Sequence, residues 1–181
     1  MHNNVKKPKD TWLEEGLKIL EESGPGSLTI DNLVLRTNKT KGSFYHHFKN
    51  RNKYIEAILA HYETKVTVEI LHEVNKASGK IERLKKLTEL VFQISSKLEL
   101  VIRAWALYEP LVKKTQDRID EKRLDHLKSI YLSSCVDEEQ AQTMALRNYS
   151  IYIGLQQLKH IYGKNNFKKL LKDIFIPSQP F

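Results

Sequence analysis

Residues 40 to 53, Thr-Lys-Gly-Ser-Phe-Tyr-His-His-Phe-Lys-Asn-Arg-Asn-Lys, constrain this chain more than any other stretch. Thr40 has the hydroxyl that caps a helix start. Phe44 and Phe48 are four residues apart and share one face of that helix. With ~100° between successive residues, Gly42, Ser43, Tyr45, His46 and Lys49 fall on the opposite half. The outer face is small, polar and basic, and it suits a DNA groove. Lys41, Lys49, Arg51 and Lys53 place cations at and beyond the helix ends, where phosphates would run. The plainer alternative is a short surface helix anchored by two phenylalanines.

The preceding residues favour the first reading. Thr29-Ile30-Asp31-Asn32-Leu33-Val34 reads as a capped helix start with Ile30, Leu33 and Val34 inward, ending near Thr37-Asn38. Two short helices joined by a tight turn make a helix-turn-helix over about residues 29–48, whose second helix enters the major groove. The order T-I-D-N-L … T-K-G-S-F-Y-H-H-F-K-N-R resembles the N-terminal domain of TetR/AcrR-type transcriptional regulators, and the match runs from about Trp12 to Ile58. The resemblance implies a homodimeric, all-helical DNA-binding protein, usually a repressor released from a palindromic operator by a small molecule. By position in that pattern, Thr40, Lys41, Ser43, Tyr45 and His46 are the expected groove and phosphate contacts. Thr29, Gly42, Lys49, Arg51 and Lys53 complete the set expected at double-stranded DNA. The turn departs from the family pattern: Asn38 stands where glycine is common, and Lys39 where an apolar residue is common. Asparagine tolerates the left-handed conformation such a turn needs.

Charge supports the local reading more than the global one. The chain has a net charge of +8. Residues 1–75 hold 11 Lys/Arg against 10 Asp/Glu, while residues 76–181 hold 19 against 12. Within residues 29–53, however, Arg36, Lys39, Lys41, Lys49, Arg51 and Lys53 face only Asp31. That patch is the informative signal.

The remaining pattern is helical throughout, so the expected fold is all-α with about nine helices. Residues 1–9 read as a flexible arm, with Lys6, Lys7 and Lys9 able to touch phosphate. Residues 10–53 read as the DNA-binding domain of three helices, its first helix running from Asp10 to Ser23 and stopped by Gly24-Pro25-Gly26. Asn50 is a candidate cap for one long helix, Arg51–Lys76, that joins the head to a helical ligand-binding and dimerisation domain over residues 54–181. Leu84, Leu87, Val91, Ile94 and Leu98 trace one stripe, and Leu111 to Leu132 form another helix. Asp137-Glu138-Glu139-Gln140 has capping-box spacing. The helix after it is apolar nearly all round and ends at Gly163, before a last amphipathic helix. A monomer of this size is hard pressed to bury both. Ile151, Leu155, Leu158, Phe167, Leu170, Leu171 and Ile174 are therefore expected at a two-fold homodimer interface.

Phe92, Trp105, Tyr108, Tyr131, Tyr149 and Tyr152 supply aromatic content to that domain, with Arg103, Gln156 and Arg147 as polar anchors. Such residues are commonly core. A ring-lined cavity with a few polar tips would instead suit an apolar or aromatic effector. Adjacent His46 and His47 point ~100° apart and lack metal-ligand spacing. No Gly-rich phosphate loop or G-x-S-x-G elbow appears, so neither enzyme nor cofactor is expected. One cysteine, Cys135, fits a reducing cytoplasm, and acidic neighbours oppose a thiolate there. No run of 18 uncharged apolar residues spans a membrane. The alternative reading is a dimeric helical interaction module, or an activator of the same type that uses no effector.

Overall fold

The computed structural model describes residues 8–133 and 137–176, and among these every regular element is helical. α1 (Pro8–Ser23) is followed by a 3-10 turn (Pro25–Ser27), α2 (Ile30–Thr37), α3 (Lys41–Phe48) and α4 (Arg51–Glu63). A π-helical turn (Thr64–Val68) carries α4 into α5 (Glu69–Asn75). Then come α6 (Lys80–Val91), α7 (Ser96–Ala106), α8 (Pro110–Leu132) and α9 (Glu138–Phe175), which is broken at Gly163. Cys135, Lys6 and Lys7 lie outside the described residues.

Side-chain caps set the helix starts. Thr29 Oγ1 accepts from the Asn32 amide at 3.2 Å, and Thr40 Oγ1 from the Ser43 amide at 3.2 Å. Asn50 Oδ1 and Asp137 Oδ1 accept from the amides of Lys53 and Gln140, each at 2.9 Å. Each satisfies a donor that the first helical turn leaves without an intrahelical partner. Asn38 closes α2 at φ 53°, ψ 42°, the left-handed conformation its side chain tolerates. Pro8 and Lys9 are already helical, ahead of the expected start at Asp10. Lys9 Nζ lies 5.5 Å from the Phe48 ring centroid.

Trp12, Phe44, Phe48 and Tyr54 make the aromatic heart of the head. Trp12 and Phe44 meet edge-on at 5.5 Å, and Phe48 and Tyr54 at 4.9 Å. The buried Tyr54 hydroxyl donates to the Trp12 carbonyl at 2.8 Å, and burial pushes its pKa up. This core does not end at residue 53. Leu98, Ile102 and Ala106 of α7, with Val112 and Ile119 of α8, belong to the same apolar cluster. α7 therefore ties the head to the rest of the chain.

Two elements differ from the sequence pattern, and the break at Gly163 follows it. The Arg51–Lys76 helix is continuous but contains the π turn. Its run Thr64, Val66, Thr67 and Val68 is β-branched, and Thr64 Oγ1 donates back to the Ala60 carbonyl at 2.9 Å, both of which disturb regular α geometry. The Leu84–Leu98 stripe is two helices, because Ser95 caps α7 through the Leu98 amide at 3.2 Å. Gly163 breaks α9 at φ 74°, ψ 166°, which folds the last segment back on the bundle. As a result Leu155, Phe167 and Leu171 are buried inside the protomer, and Leu170 and Ile174 pack partly buried against the same cluster.

Gly16 marks the tightest contact between α1 and α4. A Cβ there would lie 1.9 Å from Tyr54 Oη and 2.6 Å from Ile58 Cδ1. Gly16→Ala is expected to cost about 1–3 kcal/mol, read as a lower urea midpoint. Adding Tyr54→Phe should recover only part of the loss, since Ile58 still blocks the site.

Candidate functional site

α3 presents a polar face outward. Its inner side is fixed by Phe44 and Phe48, which are fully enclosed. The rotation this imposes leaves Lys41, Gly42, Tyr45, His46 and Lys49 exposed and Ser43 half-buried. Thr29 and Thr40 are exposed at the starts of α2 and α3. Their oxygens accept capping bonds, and each hydroxyl keeps its own proton to donate outward. The His46 and His47 rings meet edge-on at 5.2 Å, and burial pulls the His47 pKa down. Among the described residues no group of three His, Cys, Asp or Glu is placed to hold a metal ion.

The basic patch is smaller in space than in sequence. Lys41 pairs with Asp31 at 2.5 Å and Lys53 with Glu56 at 2.6 Å, all of them exposed. Arg36 is turned toward α1, where it bonds Glu22 at 2.7 Å and Glu15 at 3.4 Å. Among the described residues no ion pair involves Lys39, Lys49 or Arg51. Lys49 follows α3 at φ 53°, ψ −49°, and Asn50 N–H donates to the Phe48 carbonyl across it. This is a γ-turn, a strained conformation for a residue with a side chain. It lets Asn50 start α4 immediately after α3.

The second region lies deep in the bundle. Glu99 of α7 is 1 % exposed and pairs with Arg123 of α8 at 2.6 Å. Glu99 also accepts from Tyr152 Oη at 3.0 Å and from the Gln156 amide. Arg123 donates to the Val66 carbonyl at 2.9 Å and to Thr67 Oγ1 at 3.1 Å, both in the π turn. Beside this pair, Arg103 grips Asp120 through two bonds of 2.9 and 2.7 Å, and Tyr149 Oη donates to Asp120 at 2.7 Å. Burial by itself raises the Glu99 carboxyl, but the Arg123 charge together with the hydrogen bonds from Gln156 and Arg123 outweighs it and leaves the pKa below its usual value. Asp120 behaves alike, with Arg103, Tyr149 and Gln116 together overcoming burial. Burial pushes the Tyr149 hydroxyl up to about 12, so it stays a donor.

Against this network lies a cavity with about 30 Å³ open to the centre of a water molecule. Val66, Ile70, Leu87, Val91, Leu127 and Phe175 make its apolar wall, with Leu71 beside them. Thr67, Arg123, His126, Tyr149 and Tyr152 supply its polar part. Of the aromatic residues singled out in the sequence, only Tyr149 and Tyr152 reach it. Gln156 and Arg103 belong to the network behind it. Phe92 stacks on Phe167 at 6.3 Å, and Trp105 packs partly buried against the head core. Tyr131 is buried where Asn148 donates to its hydroxyl at 2.6 Å, while Tyr108 is 86 % exposed at the start of α8. Neither lines the cavity. Thr67, Glu99, Arg123 and His126 went unread because lone polar residues on charged helices look like solvated surface.

The arrangement of the whole chain matches solved structures closely. A TetR transcriptional regulator from Legionella pneumophila superposes with a TM-score of 0.82 over 95 % of this chain and 97 % of its own, at 15 % identity. The chain has the TetR fold. A TetR transcription regulator from Haloarcula marismortui gives 0.76 over 92 % and 95 %, at 16 % identity. A putative transcriptional regulator from Saccharomonospora viridis, solved in complex with choline, gives 0.74 over 94 % and 96 %, at 14 % identity. No protein-family model matches the sequence, and no curated protein is similar to it. Within this TetR fold α3 is the second helix of the helix-turn-helix. No helix among the described residues is long and apolar enough to cross a membrane.

The buried pair carries two expectations. Glu99→Ala strands the Arg123 charge and should cost about 3–5 kcal/mol, seen as a lower urea midpoint. Replacing both partners by methionine should cost less than that single change. The folded pKa values of Glu99 and Asp120 are depressed, so their stabilising contribution is complete above the ordinary glutamate value of 4.5. It is lost as pH falls through the folded values. Unfolding midpoints measured at falling pH should therefore drop below about pH 4.5, and more gently in Glu99→Gln.

Proposed function

We propose that the chain is a homodimeric DNA-binding transcriptional regulator, a repressor released from a near-palindromic operator by a small molecule. The observation that carries the reading is α3. An aromatic core fixes its rotation so that Tyr45, His46 and Lys49 face outward together on a TetR fold. Lys49 and Arg51 bracket the junction of α3 and α4, where α4 also offers free amides to a phosphate. Lys41 exchanges Asp31 for phosphate on binding. Tyr45 and the threonine hydroxyls hold the backbone, and Lys41 or His46 reaches base edges.

In this reading residues 10–53 are the DNA-binding domain and residues 54–181 hold the effector and the second copy. The protein works where DNA is, in the cytoplasm. Support for a homodimer comes from α9, where Leu146, Ile151, Leu158 and Ile161 are 52, 42, 40 and 67 % exposed. Ile151, Leu158 and Ile161 recur at helical spacing, with Gly154 between them allowing close approach. Leu155, Phe167 and Leu171, expected at the same interface, are instead interior to the protomer. The dimer seam therefore runs along the first part of α9. The cavity is the effector site, and the choline complex of a protein with the same fold favours a small-molecule site in this fold.

Tyr45→Ala and Lys41→Ala are each expected to weaken operator binding at least ~10-fold in fluorescence anisotropy, with the dimer intact by sedimentation. Wild-type affinity in both would remove α3 as the reading helix. The pair Leu158→Glu and Ile161→Glu should yield folded monomers with much weaker operator binding; an unchanged dimer would place the seam elsewhere.

A further inference from the structure

We propose that the cavity takes an uncharged, mainly apolar molecule bearing one hydroxyl, which hydrogen-bonds to His126. The proposal rests on the regulator reading only for its consequence at DNA; the ligand chemistry follows from the cavity itself. Its wall is apolar on most sides. Its charges are closed among themselves: Arg123 is matched by Glu99 at 2.6 Å, and Arg103 by Asp120 at 2.7 Å. Among the residues that line it, a carboxylate would find no cation without an existing partner, and an ammonium would meet Arg123. Either would be buried without compensation.

Among the described residues that line the cavity, one buried side-chain polar atom lacks a hydrogen-bond partner. The Nε2 atom of His126 is enclosed and has no hydrogen-bond partner among the described residues. Burial, and then the Arg83 charge, pull its pKa down, so the ring is neutral. A neutral imidazole offers one donor and one acceptor, set by its tautomer. A hydroxyl satisfies Nε2 in either tautomer, whereas a carbonyl or ether satisfies it in only one. An enclosed nitrogen without a partner is costly, and a ligand hydroxyl removes that cost.

The cavity as it stands, with about 30 Å³ for a water centre, has room for a water-sized molecule and not for an organic ligand. Entry must therefore displace its wall. Val66 and Thr67 belong to that wall and to the π turn, whose Val66 carbonyl is held by Arg123. A π turn inside a helix is a local irregularity of the kind found at functional sites. The same helix starts directly after α3. Occupancy thus presses on the segment that carries the reading helix.

The test uses the full chain without DNA and four probes of one shape: 4-butylphenol, butylbenzene, 4-butylbenzoate and 4-butylbenzylammonium. Calorimetric titration is expected to rank 4-butylphenol about tenfold tighter than butylbenzene, with the two ions weakest. His126→Leu should abolish the tenfold advantage and leave butylbenzene binding in place. The ranking in the wild type stands by itself if that variant does not fold. Tightest binding of the benzoate, an advantage that survives His126→Leu, or no binding by any probe would overturn the proposal. A phenol that binds as expected yet leaves the operator complex intact would support the ligand assignment and overturn release by this site.

Discussion

The Glu99–Arg123 pair ties distant parts of this molecule together. Glu99 is on α7, which packs against the head, and Arg123 is on α8. Arg123 reaches the π turn of the helix leaving α3, and Glu99 receives bonds from Tyr152 and Gln156 of α9. Four elements therefore converge on one buried pair of charges. Such a pair adds little net stability, because desolvation offsets most of the attraction. Its effect is on uniqueness, since any rearrangement that separates the partners leaves a bare charge in the core. The bundle is thereby held to one relation among α7, α8, α9 and the π turn.

That constraint gives a physical route from the cavity to α3. The cavity shares Arg123, Thr67 and Val66 with the network, so its contents and the π turn are mechanically one system. Glu63, one residue before the π turn, is clasped by Arg118 at 2.5 Å and Lys122 at 2.7 Å, which ties the head side of the turn to α8. Movement of α8 against this helix is transmitted to α4 and to the γ-turn at Lys49, which leaves no slack between α3 and α4. A coupling of ~1–3 kcal/mol between the two sites is enough for regulation.

The head was legible in the sequence to within a residue or two. Its signals are local: cap hydroxyls at Thr29 and Thr40, an asparagine at the left-handed turn, and two phenylalanines four apart. The bundle was legible only as helices. Periodicity shows that Leu84 to Leu98 is apolar on one side, but the break is made by the Ser95 cap, and Ser95 also donates to Glu21 far away in sequence. The cavity was half legible. Aromatic composition pointed to Tyr149 and Tyr152, while Tyr108, equally aromatic, is outside the core. Arg123 and Glu99 are charged residues on helices dense in charge. Only their three-dimensional pairing separates them from the solvated ones, and periodicity does not encode partners.

In the proposed function two copies of α3 read DNA together. Hydroxyl-radical footprinting of the purified protein on its own upstream DNA, with nonspecific competitor and rising salt, tests it most directly. Two protected segments on one face of the duplex are expected, centred about one helical turn or a multiple of it apart, that fade together as salt rises. A single protected segment, or protection that is indifferent to sequence, would contradict it.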